Sequence, residues 1–151
     1  MATLSFPCGR DMLTANLPDE RLAGVLLSSL HDYKAQKSES ALVEDALANP
    51  IGSAPLCELA KGKKKIVIIA SDHTRPVPSR VIMPPMLREI RRGNPDADIT
   101  ILIATGCHRG TTVEELRAKF GDEIVEHEKI VIHDCDAAED MVSLGTLPSG
   151  G

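Results

Sequence analysis

Two short polar segments hold most of the residues in this chain that are equipped for chemistry. Ser71-Asp72-His73-Thr74-Arg75-Pro76 brings together a carboxylate, an imidazole, a hydroxyl and a guanidinium, and Ala104-Thr105-Gly106-Cys107-His108-Arg109 adds a hydroxyl, a thiol, a second imidazole and a second guanidinium. Arg75 offers a planar fork of donors that matches a carboxylate or a phosphate; the plainer alternative is a surface ion pair. His108 is the natural acid–base group, because imidazole titrates near neutral pH; its alternative is a hydrogen-bonded structural histidine. His73 can equally cap or pack. Gly106 allows a tight turn or a close backbone approach to a ligand. Cys107 has no second soft ligand at a useful spacing, which favours a small packing residue over a nucleophile or metal ligand.

The elements around these segments say where they stand. Lys65-Ile66-Val67-Ile68-Ile69-Ala70 and Asp98-Ile99-Thr100-Ile101-Leu102-Ile103-Ala104 are β-branched runs without alternation. Such runs read as strands buried on both faces. A helical stretch from about Pro78 to Arg92 separates them, and Pro84-Pro85 inside it should kink the helix or delay its start. Strand, helix, strand is a βαβ unit, and ligands of parallel sheets bind beyond the carboxyl ends of the strands. If the two strands are neighbours, both polar segments face one crevice.

Flanking elements complete an α/β fold. Thr111 with Glu114 and Thr112 with Glu115 form two overlapping capping boxes before a helix that Gly121 closes. Asp122 to Lys129 reads as another short helix, Ile130-Val131-Ile132-His133 as a third strand and Met141-Val142-Ser143-Leu144 as a fourth. Upstream, Ser38 or Ser40 can cap a helix that ends at Asn49-Pro50, and Ser53 can cap a short helix through Leu56 and Ala60. Leu4–Phe6 and Met12–Ala15 bracket a turn-forming Pro7-Cys8-Gly9-Arg10-Asp11, so residues 1–16 read as a hairpin. Residues 17–37 carry Leu22, Val25, Leu26 and Leu30 at helical spacing but no firm caps, and receive no assignment. The expected fold is a Rossmann-like, mostly parallel sheet with flanking helices, preceded by a small N-terminal β-hairpin.

Composition narrows the function. The 151 residues suit one domain, and the formal net charge of −5 argues against a general nucleic-acid binder. With only Phe6, Tyr33 and Phe120 as aromatics, stacking platforms for single strands are lacking. Cys8, Cys57, Cys107 and Cys135 are scattered and suit reduced thiols. Neither a signal-peptide pattern nor a membrane-length apolar run is present, so the cytoplasm is the expected compartment. Lys61, Lys63, Lys64 and Lys65 read as a solvated edge, and Arg88, Arg91 and Arg92 as a wet helix face. His133, Asp134, Cys135 and Asp136 read as a weak metal constellation, with Asp134 a candidate to reach the crevice.

The segments Ser71-Asp72-His73-Thr74-Arg75-Pro76-Val77-Pro78 and Ala104-Thr105-Gly106-Cys107-His108-Arg109, with Gly145-Thr146-Leu147-Pro148-Ser149-Gly150, resemble the N-terminal domain of the nickel-dependent lactate racemase family. The resemblance covers about residues 4–151. It implies a racemase or epimerase of lactate or a related 2-hydroxy acid, working by hydride transfer to a nickel pincer nucleotide. It further implies that His108 is one of two proton-transferring histidines and that Arg75 anchors the substrate carboxylate. Asp72, Thr74 and Gly106 would contact the cofactor, and Arg109 would assist at the substrate. The tethering Lys, the nickel-ligating His and the second acid–base His are expected beyond Gly151, in a C-terminal domain of the same polypeptide. Residues 1–151 alone are therefore expected to be inactive, to hold no metal and to bind no cofactor. The alternatives are a non-catalytic nucleotide- or carboxylate-binding domain and a cofactor-assembly scaffold.

Overall fold

The computed structural model describes residues 1–150 and forms two compact units, Met1–Gln36 and Lys37–Gly151. The first is built on an antiparallel hairpin of β1 (Ala2–Cys8) and β2 (Asp11–Leu17), in register from Ala2↔Leu17 to Cys8↔Asp11. Beyond it the chain forms only short 3-10 turns, Asp19–Arg21 and Ser29–Asp32. The helical spacing of Leu22, Val25, Leu26 and Leu30 does not produce an α-helix. An apolar stripe stabilises a helix only when it is buried, and Leu26 and Leu30 are exposed.

The second unit is a three-stranded parallel sheet in the order β3 (Lys65–Ser71), β4 (Asp98–Ala104), β5 (Lys129–Ile132). Its helices are α1 (Glu39–Ala48), α2 (Leu56–Ala60), α3 (Ser79–Gly93), α4 (Val113–Phe120) and α5 (Asp122–His127). The central strand sends Ile99, Ile101 and Ile103 into the core. There they join Met83, Leu87 and Ile90 of α3, Leu116 and Phe120 of α4, and Ile124 of α5. Each such side chain contributes roughly 1.5–3 kcal/mol on burial, so this face holds the unit together. Gly93 lets α3 end against α2: a Cβ built there would run into the backbone carbonyl of Cys57.

Several expectations change. β3 is an edge strand with Val67 59% and Ile69 72% exposed, not a strand covered on both faces, because the helical core residues pack against the opposite side of the sheet. Met141–Leu144 is not a strand; a 3-10 turn at Ala138–Asp140 precedes it, and Met141, Val142 and Leu144 are exposed with no strand to pair them. Pro84 and Pro85 do not delay α3, which starts at Ser79 and runs through both. The apolar stripe of Met83, Pro85, Leu87 and Ile90 is buried, and this packing offsets the hydrogen bonds that two prolines remove. Ser53 does not cap α2; Pro55 stands at that position and makes no side-chain bond. Ser38 does cap α1, accepting from the Ala41 N–H at 3.3 Å. No helix among the described residues is long and apolar enough to cross a membrane.

Candidate functional site

The register Ser71↔Ala104 ends β3 and β4 side by side, so the two polar segments leave the sheet together. Asp72 follows β3 and is 2% exposed. Its Oδ1 accepts from the Thr74 hydroxyl at 2.7 Å and the Thr74 N–H at 3.1 Å. Its Oδ2 stands 2.5 Å from Nδ1 of His108. These bonds, the Thr74 hydroxyl foremost and His108 next, hold the Asp72 carboxyl well below the usual carboxylate range. An ionised carboxylate only accepts, so Nδ1 carries a proton, and in the neutral imidazole Nε2 is the nitrogen that can accept one. The His108 side chain is 46% exposed, which leaves that nitrogen reachable.

β4 ends in a turn in which the His108 N–H donates to the Thr105 carbonyl at 3.1 Å. Gly106 sits in it at φ 58°, the left-handed region that a side chain disfavours. Thr105, 2% exposed, donates its hydroxyl to the His133 carbonyl at 2.7 Å and lies 3.1 Å from Nδ1 of the same residue. The turn that carries His108 is thus tied to the strand beside it. A crevice of about 450 Å³ opens between the segments, lined by Ser71, Asp72, Arg75, Gly106, Cys107 and His108 among others. Arg75 is exposed and its guanidinium makes no hydrogen bond among the described residues; its carbonyl accepts from Lys119 Nζ at 2.9 Å. Ser71 Oγ is buried without a partner.

Asp72, Thr74, Arg75, Gly106 and His108 therefore meet at or beside one crevice, as their place at strand ends requires. Arg109 does not join them. Its fork is taken bidentately by Glu115, at 2.6 and 2.9 Å, and also reaches the Gly110 carbonyl. Glu115 belongs to the capping box with Thr112, which is the one of the two possible boxes that forms. Thr111 instead is buried and meets His73 Nδ1 at 3.2 Å, so His73 braces the first segment against the start of α4. Asp134 does not line the crevice; its carboxylate accepts from the Asp136 N–H at 3.0 Å. The pairing of Asp72 with His108 emerges only in the fold, and an Asp and a His at the ends of adjacent parallel strands are its one signal in the sequence.

The donor set of the crevice fits the organic, anionic part of a nucleotide cofactor. Ser71 Oγ is an orphaned polar atom in its wall, Arg75 is uncommitted, and Gly106 leaves open space where a side chain would stand. The one group of three metal-ligating side chains among the described residues, Asp134, Cys135 and Asp136, lies outside the crevice lining.

Sheet and site together define an α/β domain with an aspartate-oriented histidine at the carboxyl edge of a parallel sheet. Residues 8–151 match the lactate racemase N-terminal domain, and the chain belongs to that family. Over all 151 residues it is 54% identical to a lactate racemase of Thermoanaerobacterium thermosaccharolyticum and 50% identical to one of Lactiplantibacillus plantarum, covering 35% and 36% of them. The structure of the lactate racemase apoprotein from T. thermosaccharolyticum matches with a TM-score of 0.84 at 52% identity, over 99% of this chain and 34% of that one. The chain thus spans about a third of the length of these relatives.

Proposed function

We propose that this domain forms one wall of the active site of a 2-hydroxy acid racemase, with lactate as the first substrate to test, His108 as an acid–base group and Arg75 as the carboxylate anchor. The observation that carries the reading is the Asp72–His108 pair at 2.5 Å, joined to a guanidinium left free on the same crevice. Racemisation at C2 needs the carboxylate held still while a proton leaves and returns to the 2-hydroxyl. The Arg75 fork suits the first task. His108 Nε2 suits the second, since Asp72 keeps the proton on Nδ1 and favours the imidazolium that forms when Nε2 takes a proton. The family's nickel pincer nucleotide supplies hydride chemistry when bound. On this chain Ser71, Thr74 and the Gly106 turn are the groups to hold its organic part, and Asp72 acts through His108 rather than on the cofactor. The other wall, with the second acid–base group, belongs to a C-terminal domain of the same polypeptide.

The test is a chimera in which residues 1–151 replace the matching third of the T. thermosaccharolyticum relative. The cofactor-loaded chimera should interconvert L- and D-lactate, and His108→Gln should lower kcat by about 10²–10⁴-fold. A folded, loaded chimera without activity, or one indifferent to His108→Gln, favours a non-catalytic binding domain instead.

A further inference from the structure

The parallel sheet is covered on one face only. Helices α2 to α5 send Ala60, Leu87, Leu116 and Ile124 into one core with Ile68 and Ile101, so they share a face. On the other face Ile69, Leu102 and Val131 form a row across the three strands, in register Ile69↔Leu102 and Leu102↔Val131. Val67 lies two residues before Ile69 and points the same way. Ile69 is 72%, Val67 59% and Val131 41% exposed. We propose that this bare face, with the open edge of β3, docks a segment from the C-terminal part of the same polypeptide: a parallel strand beside β3, and its crossover helix laid over Ile69 and Leu102.

The strand itself is written for such a cover. Ile66-Val67-Ile68-Ile69 lacks the alternation of a strand with one wet face and matches one buried on both. An edge meant for solvent carries charge, proline or a bulge. β3 keeps an unbroken register from Lys65 to Ser71, and Lys65 is its one charged residue. No strand pairs with its outer edge among the described residues.

Handedness says where the cover comes from. The strands lie in chain order β3-β4-β5, and right-handed crossovers that advance in one direction put every helix on one face. The second face is reached by adding strands beyond β3, as doubly wound sheets do at their switch point. A second copy joined edge to edge through β3 would extend the sheet and leave the apolar row bare. The lactate racemases matched above carry about two-thirds of their length outside the matched part, and a strand–helix–strand unit needs only about 30 residues. Ile69 also lines the crevice of His108, so a helix seated on the row stands against that crevice. The proposal rests on the reading that a C-terminal domain follows in the same polypeptide.

Hydrogen exchange tests this by comparing the 151-residue chain with the apo chimera that joins residues 1–151 to the remaining two-thirds of the T. thermosaccharolyticum relative. The β3 amides that point away from β4 should exchange freely in the first and be protected at least about tenfold in the second. Val67→Thr with Ile69→Thr keeps the β-branching and removes apolar surface. It should leave the Tm of the 151-residue chain within about 3 °C of the original and lower that of the chimera by about 5 °C or more. The proposal is overturned if β3 exchanges equally in both proteins or if the double variant lowers both melts alike. It is also overturned if β3 protection in the 151-residue chain rises with protein concentration, which makes a second copy the occupant. Lactate turnover is not read. A protected β3 in an inactive chimera upholds the interface and counts against the catalytic reading, and an open β3 in an active chimera does the reverse.

Discussion

Asp72 Oδ2 lies 2.5 Å from His108 Nδ1, joining the loop after one parallel strand to the turn after its neighbour. The pair couples a carboxylate shielded from solvent to an imidazole that faces it, 2% against 46% exposed by side chain. Asp72→Asn preserves shape but presents an amide that can donate to Nδ1 and reverse the tautomer. In the chimera it should lower kcat by about 10³–10⁴-fold with little change in KM, and alter the acid limb of the rate–pH profile. An unchanged kcat would leave Asp72 a purely structural residue.

Acid should unfold the second unit partly through Glu115. The Arg109 guanidinium, with the Thr112 N–H, brings its pKa from 4.5 down to about 2. A carboxyl depressed in the fold contributes stability that is complete above its unfolded pKa and is lost as pH falls through the folded one. The contribution should therefore fade between about pH 4.5 and pH 2. Thermal melts across that window should show a shallower pH dependence in Arg109→Gln than in the original chain.

Gly106→Ala separates strain from packing. Nothing stands within 4 Å of a Cβ at this position, but φ of 58° penalises any side chain. The expected loss of stability is about 1–2 kcal/mol by chemical denaturation. Turnover should fall by more than that stability loss implies, because the same turn aims His108 at the crevice.

Gly93→Ala tests the contact between α2 and α3. Here the obstacle is backbone, the Cys57 carbonyl, which cannot step aside as a flexible side chain can. We expect destabilisation of about 2–3 kcal/mol and a fall in Tm of roughly 10 °C. A Tm unchanged within error would mean that the two helices separate without cost.

Much of the architecture was legible from local pattern. The β-branched runs mark β3 and β4, the pairs Ser38/Ser40 and Thr111/Thr112 mark helix starts, and Gly106 marks the turn ahead of His108. Local pattern was silent on competition between equals. It could not choose Thr112 over Thr111 as the cap, nor see that Glu115 would claim Arg109, since each choice depends on a third residue brought in by the fold. It also misjudged β3, whose apolar run looks like that of a central strand although the strand lies at the sheet edge.

By itself, the sequence determined that two polar loops follow two parallel strands, because strand periodicity and turn chemistry are properties of neighbouring residues. Only the tertiary structure decided that Asp72 serves His108. Thirty-six positions separate them along the chain, and the register that sets Ser71 beside Ala104 is a property of the packed sheet rather than of either strand.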